Sequence, residues 1–256
     1  YLLSNFLSPY WNRRNDAWGG DTERRTRLAL EIGKAVRKRC GSDFVVGIKL
    51  SLDEYLGEAG TTPHETIRVL QLLEQARLFD YVCLSHTDYH QNHKLVPPQS
   101  SGETAPLAAH AARVREALGG RIPLLIQGSV RDLEKAAEIV QCGQSDLVGL
   151  VRAHIADPEM VKKAREGRLD ETRRCVGANQ GCWRRLGQNV SCTVNPAAGR
   201  ELQFGVAMAR PAASAKKVLV IGGGPGGLKF ADTAAERGHK VTLWERSGQL
   251  GGQIRK

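Results

Sequence analysis

The sequence predicts an α/β fold with two parallel-sheet units joined by an irregular segment. Three observations carry this prediction. In residues 20–167, short apolar runs without polar alternation are separated by amphipathic helical patterns, which is typical of a parallel sheet covered on both faces. Residues 168–215 lose both patterns and contain three clustered cysteines. A glycine-rich turn then lies between an apolar run and a helical pattern near residue 222.

Four strand–helix units follow one another in the first part of the chain. Asp21 is a favourable N-cap for the first helix, and Pro63 suits the first position of the second. An open doubly wound sheet and half of a (β/α)8 barrel both fit this order. The predicted helices cover 22–39, 63–77, 105–118, 132–141, 158–166 and 228–237, and the predicted strands cover 44–50, 79–85, 122–127, 146–151, 216–221 and 240–244.

The chemistry at the strand ends favours the barrel. Several candidate functional residues fall at or just after the carboxyl ends of predicted strands: Lys49, Ser85, His86, Gln127, Gly128, Ser129 and Arg152. Barrel active sites are built at these ends, and phosphate commonly binds after strands 7 and 8. Glycine lets the backbone approach a phosphate, and arginine supplies a forked charged donor. We therefore expect a phosphate site at Gly128, Ser129 and Arg152.

A dinucleotide-binding motif follows in the second sheet unit. Gly222, Gly224 and Gly227 form G-x-G-x-x-G between a predicted strand and a predicted helix. The first glycine permits a tight turn, the second admits a pyrophosphate, and the third allows close packing of helix on strand. Glu245 ends the next strand, where an acid accepts hydrogen bonds from a ribose 2′-hydroxyl. The glycine-rich segment Gly248–Gln253 suggests a second close approach of backbone to a ligand.

The six cysteines divide into two groups of three. Cys175, Cys182 and Cys192 lie within 18 residues on the irregular segment, and such thiolates suit a metal or an iron–sulfur cluster, although three inert thiols remain an alternative. A disulfide framework is not expected in a long, cysteine-poor chain, so the prediction is a reducing, cytoplasmic location. The others are expected to be small buried residues: Cys40, Cys83 and Cys142.

The composition excludes some classes of protein. The chain has 256 residues and a formal charge of +10, and no run has the roughly 18 apolar residues that a membrane helix needs. The charge is concentrated in residues 1–39 and 161–200, neither of which matches a nucleic-acid motif, so nucleic-acid binding ranks last. The first residue is Tyr1 rather than Met, and the start lacks the features of a signal peptide, which suggests a processed chain or a fragment.

Together, these features resemble a known family. Residues 1–27 read Y-L-L-x-x-F-L-S-P-x-x-N-x-R-x-D-x-W-G-G-x-x-E-x-R-x-R, which is similar to the central stretch of old yellow enzyme barrels. The whole chain resembles the multidomain NADH:flavin oxidoreductases, the branch that contains 2,4-dienoyl-CoA reductase and trimethylamine dehydrogenase. The resemblance implies the C-terminal half of an FMN-binding TIM barrel in 1–170, an iron–sulfur segment and linker in 171–215, and the start of a Rossmann-like FAD/NAD(P)-binding domain in 216–256.

The resemblance also implies roles for individual residues. Lys49 matches the position that touches the flavin ring, where arginine is usual. Tyr89 and His90 match an aromatic–histidine pair near the substrate, so His90 is expected to place or protonate it. The residues that match FMN- and FAD-binding positions, or ADP-binding positions in the amine dehydrogenases, are Gly128, Ser129, Val151, Arg152, Gly222, Gly224, Gly227, Glu245, Arg246 and Gln253.

The cysteine segment departs from the family pattern. Cys175, Cys182 and Cys192 match three ligands of a 4Fe-4S cluster, but Ala178 stands where the second cysteine is expected. The family also implies four barrel strands before Tyr1 and a longer nucleotide domain after Lys256. We therefore expect little or no activity from the isolated chain.

The function implied by the resemblance is flavin-dependent reduction. Reducing equivalents are expected to pass from NAD(P)H through FAD and an iron–sulfur centre to FMN, and then to a small-molecule substrate, an activated alkene such as an enoyl thioester. Two alternatives stay open. One is an amine dehydrogenase or N-demethylase of the same family, and the other is a non-catalytic protein with a structural metal.

Overall fold

Strands and helices alternate along most of the chain, as the sequence predicts. The computed structural model describes residues 2–87, 105–185, 187–205 and 210–255. The chain divides into two compact units, the first being Tyr1–Gln188 with Cys192–Asn195 and the second Asn189–Ser191 with Pro196–Lys256. The predicted pair Tyr89 and His90 lies outside the described residues. Within the described ranges, no helix is long and apolar enough to cross a membrane.

The elements are as follows, apart from a few single turns of 3-10 helix. The helices are α1 (Leu2–Leu7), α2 (Thr22–Cys40), α3 (Pro63–Ala76), α4 (Ala108–Ala117), α5 (Leu133–Gln141), α6 (Val151–Ala156), α7 (Met160–Arg165), α8 (Glu201–Phe204) and α9 (Pro225–Glu236). The strands are β1 (Gly47–Ser51), β2 (Tyr81–Ser85), β3 (Leu124–Gln127), β4 (Leu147–Gly149), β5 (Lys217–Ile221) and β6 (Lys240–Trp244).

Side-chain caps fix the starts of three helices. The carboxylate of Asp21 accepts a hydrogen bond from the third residue of α2, and Asp132 does the same for α5. The hydroxyl of Thr62 caps α3, with Pro63 at the first helical position. Each cap satisfies a backbone N–H that has no partner within the helix, which stabilises the helix by about 1 kcal/mol. The predicted starts at Asp21 and Pro63 are confirmed.

The sheet of the first unit is parallel and runs in the order β1-β2-β3-β4. Ile48, Val82 and Leu124 are aligned across three strands, and all are buried in the core shared with α2, α3, α4 and α5. On the opposite face, Lys49 is exposed and Leu147 is 50% exposed. The helices therefore cover one face, and the strand order never reverses. Both features are those of a barrel segment rather than of a doubly wound sheet.

Each strand of the first unit covers fewer residues than its predicted apolar run, and the first and the fourth show why. The first begins at Gly47 rather than Phe44. The N–H of Val46 donates to the carboxylate of Asp80 at 2.6 Å, so a side-chain oxygen occupies the place of the backbone carbonyl of a neighbouring strand. The fourth ends at Gly149, and Val151 opens the helix α6 instead. A short apolar run fits a strand or a buried helix equally well, so periodicity alone did not separate them.

Two further expectations were wrong. Cys40 and Cys142 are exposed, and only Cys83 of that group is buried. Cys40 is the last residue of α2 and Cys142 follows the end of α5, and helix ends face solvent more readily than helix centres. The helix after the glycine-rich turn begins at Pro225 rather than Leu228, since proline is well suited to the first helical position.

The second unit contains a strand–helix–strand arrangement. β5 and β6 pair in parallel, with Lys217 opposite Lys240 and Ile221 opposite Trp244, and α9 connects them. Val220 of β5 is buried. This is the predicted order of strand, glycine-rich turn, helix and strand.

Candidate functional site

Strained backbone is concentrated at the carboxyl edge of the first sheet. Non-glycine residues with positive φ follow β1, β2 and β3: Tyr55 at 56°, Thr87 at 76° and Ser129 at 54°. A positive φ is a genuine outlier for a β-branched residue such as Thr87. Such strain persists only where the surroundings over-determine it, and it clusters at functional sites. The carboxyl edge is therefore the candidate site of the first unit.

Arg152 is held between two neutral side chains at this edge. Its Nη2 donates to the hydroxyl of Ser129 at 2.6 Å, and its Nη1 donates to the side-chain oxygen of Asn179 at 2.6 Å. Ser129 follows β3, Arg152 lies in the first turn of α6 after β4, and Asn179 comes from the cysteine-containing segment. Gly128, at φ +128°, keeps the adjoining backbone free of a side chain. The three residues predicted to bind phosphate are thus neighbours, as expected from the sequence.

The charge around Arg152 favours an anion. Burial lowers the pKa of Arg152, and the nearby guanidinium of Arg131 acts in the same direction, whereas the thiols of Cys175 and Cys182 oppose the shift. Arg131 is itself buried. Among the described residues no carboxylate forms a salt bridge with Arg152. The half-buried guanidinium of Arg152 and the buried guanidinium of Arg131 together attract a phosphate, because its charge offsets their mutual repulsion.

Lys49 lies on the open face of the same sheet. It pairs in register with Cys83, whose pKa is raised by burial and lowered to a smaller extent by the charge of Lys49. The lysine is exposed in this structure, so its ammonium is available to a group that lies over the sheet. The expected contact of Lys49 with a flavin ring stays a prediction.

Tyr55 and His86 form a hydrogen-bonded pair that sequence reasoning missed. The hydroxyl of Tyr55 and Nδ1 of His86 are 2.8 Å apart, and their rings meet edge to face. His86 is 3% exposed, and its Nε2 has no hydrogen-bond partner among the described residues. Burial is the main cause that lowers the pKa of His86 to about 4. The charge of Asp53 raises this pKa, and the charge of His110 lowers it further. His86 is therefore a neutral imidazole at physiological pH.

The lowered pKa of His86 makes stability depend on pH. Between pH 6.5 and pH 4 the unfolded chain takes up this proton more readily than the folded chain, so the free energy of unfolding falls as the pH falls through that window. At pH 5 the lowered pKa of His86 reduces the free energy of unfolding by about 2 kcal/mol relative to pH 7. We expect the midpoint temperature of thermal unfolding to fall more steeply between pH 7 and pH 5 for the wild type than for His86→Asn. Parallel curves for the two proteins would contradict the assignment.

The clustered cysteines do not form a ready metal centre in this structure. Cys175, Cys182 and Cys192 are all half-buried free thiols of the first unit. Yet no group of three or more His, Cys, Asp or Glu side chains in the described part of the chain is arranged to hold a metal ion. With Ala178 at the position where the family pattern has its second cysteine, the residues as placed do not fit a 4Fe-4S cluster.

The glycine-rich turn of the second unit has the geometry that its sequence predicts. Gly222 has φ +102°, which permits the tight turn. A side chain at Gly227 would place its Cβ 2.0 Å from the carbonyl oxygen of Gly222, so α9 approaches β5 too closely for any other residue. A Cβ at Gly224 would meet nothing within 4 Å, which leaves space beside the helix N-terminus for a pyrophosphate.

Glu245 closes this turn from the end of β6. Its Oε2 accepts the N–H of Gly223 at 2.6 Å, and its Oε1 accepts both the N–H and the hydroxyl of Ser247. These hydrogen bonds lower the pKa of Glu245 to about 2, so the carboxylate is ionised at physiological pH. It retains acceptor capacity for a ribose hydroxyl. Gly251 donates its N–H to the carbonyl of Gly223, which brings the predicted second segment against the first.

Three predicted cofactor residues make no contact, within the part of the chain that the structure describes, that fixes a role. Val151 is 67% exposed at the start of α6, and Arg246 and Gln253 are exposed in the second unit. Conversely, Asn179 was not predicted, although it holds Arg152. The sequence offered only a weak signal for Asn179: asparagine is one of the few residues that readily adopt positive φ, and this tendency does not indicate a contact with an arginine.

Two family descriptions match the chain. The NADH:flavin oxidoreductase / NADH oxidase family matches residues 1–171, which is more than half of the chain. The chain belongs to this family. An NAD(P)-binding Rossmann-like domain matches residues 220–256. The two matches follow the predicted order, and the resemblance to the multidomain branch of this family is confirmed.

Relatives of this family member include both reductases and dehydrogenases. The N,N-dimethylglycine/sarcosine dehydrogenase of Chromohalobacter salexigens is 39% identical over 99% of the chain, and the cinnamate reductase of Clostridium sporogenes is 35% identical over 99%. The structure of a 2-naphthoyl-CoA reductase in complex with 2-naphthoyl-CoA matches the whole chain with a TM-score of 0.91 at 33% identity. The chain spans 37%, 39% and 38% of these proteins, respectively.

Proposed function

We propose that this chain is part of a flavin-dependent enzyme that reduces an activated alkene, such as an enoyl thioester, at the expense of NAD(P)H. The observation that carries the proposal is the held guanidinium of Arg152 beside Ser129, at the strand ends where barrels bind phosphate. The likeness to a structure with a bound aryl-CoA thioester supports the substrate class. When bound, FMN and FAD supply the redox chemistry between NAD(P)H and the substrate.

The first unit would contact both ends of FMN, the phosphate and the flavin ring. Ser129 and Arg152 donate to the phosphate, with Gly128 allowing the backbone to approach it. Lys49, on the open sheet face, would then lie near the ring and favour negative charge there. We also propose that the pair Tyr89 and His90, which follows β2 along the chain, serves the substrate, with His90 placing or protonating it.

The second unit would hold FAD through the turn at Gly222, Gly224 and Gly227. The backbone amides at the start of α9 face the pyrophosphate, and Glu245 accepts from the ribose. We propose the boundaries 1–170, 171–215 and 216–256 for the barrel part, the cysteine segment and the nucleotide-binding part. No electron-transfer step is assigned to the cysteines, and metal binding there stays a hypothesis for iron and sulfide analysis of the purified protein.

A second function is favoured by a specific observation. At 39% identity, the dimethylglycine/sarcosine dehydrogenase is more similar than the cinnamate reductase. The same flavin sites would then serve the oxidation of a methylated amine.

Steady-state assays of the full-length protein separate the two functions. We expect NADH or NADPH to be consumed when an α,β-unsaturated thioester or enone is added without oxygen, and we expect no turnover of dimethylglycine or dimethylamine with an artificial electron acceptor. The reverse pattern would contradict the main proposal. The isolated 256-residue chain serves as a control and is expected to have no measurable turnover.

A further inference from the structure

We propose that Asn179 is a positioning residue for the flavin phosphate, so that the segment between Cys175 and Cys182 forms part of the flavin site. This inference rests on the proposed binding of FMN at Ser129 and Arg152. Asn179 would not touch the phosphate itself. It would act through Arg152, whose guanidinium it orients.

The geometry fixes the guanidinium at two of its nitrogens. Asn179 holds Nη1 and Ser129 holds Nη2, both at 2.6 Å. A guanidinium has five N–H donors in a rigid plane, so these two anchors fix the plane and leave other donors for a ligand. A long side chain without such anchors has to be ordered when it binds, which costs affinity.

The neutrality of the two acceptors matters as much as their positions. An amide oxygen and a hydroxyl orient Arg152 without cancelling its charge, whereas a carboxylate at the same place would neutralise it. Arg131 adds a second positive charge nearby, because its presence lowers the pKa of Arg152. The full charge of Arg152 therefore stays available to an anion.

Asn179 is itself held firmly by the cysteine-containing segment. It is 8% exposed and has φ +63°, a conformation that asparagine, aspartate and glycine adopt with least cost. Its backbone carbonyl accepts the N–H of Arg184 at 3.1 Å, just after Cys182. The segment thus presents one amide oxygen to Arg152 and contributes to the flavin site whether or not its thiols bind metal.

The test compares FMN with riboflavin, which has the same ring but no phosphate. Apoprotein of the full-length chain is titrated with each flavin, and flavin fluorescence gives the dissociation constants. Asn179→Gly keeps the positive φ and removes the amide, and Asn179→Asp keeps the shape and adds a negative charge. Gln180→Gly, at the exposed neighbouring residue, is the matched control.

We expect Asn179→Gly to weaken FMN binding roughly 10-fold and Asn179→Asp to weaken it roughly 100-fold. The riboflavin affinity of both variants and the FMN affinity of Gln180→Gly are expected to stay unchanged. Unchanged FMN affinity in both Asn179 variants would overturn the inference, and so would equal losses of FMN and riboflavin, which indicate a general structural role. If Asn179→Gly does not fold, Asn179→Asp alone decides between these outcomes. Wild-type protein that binds FMN no more tightly than riboflavin would instead overturn the proposed phosphate site, and the inference with it.

Discussion

Arg152→Met is expected to weaken FMN binding by roughly 100-fold or more, with little effect on riboflavin. Hydrogen bonds to charged groups contribute about 1.5–3 kcal/mol each, and the substitution removes the charge as well as the donors. The FMN affinity of Arg152→Lys is expected to lie between those of the wild type and Arg152→Met, because an ammonium keeps the charge but does not reach Ser129 and Asn179 in the same forked geometry. Flavin fluorescence titration of the apoprotein measures both changes.

The matched control is Arg113→Met, which removes an exposed arginine from α4 and leaves the candidate site intact. It also lowers the net charge by the same amount, so it accounts for any long-range effect on an anionic ligand. A loss of FMN affinity in Arg113→Met equal to that in Arg152→Met would contradict a local role for Arg152.

Gly227→Ala is expected to abolish FAD binding in the second unit. Its Cβ would lie 2.0 Å from the carbonyl oxygen of Gly222, so α9 has to move away from β5 and the turn between them opens. Overpacking of this kind costs about 3 kcal/mol. The measurement is FAD content per chain in the purified full-length protein, together with its thermal unfolding.

Two neighbouring glycines give this prediction its controls. Gly226→Ala should keep both FAD and stability, since its Cβ would meet nothing within 4 Å. Gly224→Val should keep the fold but lose FAD, because its side chain enters the space left for the pyrophosphate. A Gly227→Ala protein with normal FAD content would show that close packing of α9 on β5 is not required for binding.

The parts of the molecule that depend on local sequence could be predicted. Three features depend on residues next to them in the chain, and each has a sequence signature of its own: the cap at Asp21, the helix start at Pro63 and the turn at Gly222. The meeting of Ser129 and Arg152 was predictable because parallel strands bring their carboxyl ends to one edge of a sheet. Ser129 and Arg152 therefore needed only to be placed at two strand ends.

The parts that depend on distant residues could not be predicted. Asn179 meets Arg152 across 27 residues of sequence, and Tyr55 meets His86 across 31. Neither pair has a fixed spacing, since each depends on where an irregular loop is folded back. The end of β4 was missed for a different reason: the apolar run continues past Gly149, and only packing decides that Val151 begins a helix.

The flavin content of the purified full-length protein tests the central claim most directly. Flavins released by denaturation are separated by chromatography and quantified against the polypeptide. We predict both FMN and FAD, each at about one per chain, since the two proposed sites differ in kind. Folded protein that contains no FMN after reconstitution with both flavins, or that contains zinc and no flavin, would contradict the account.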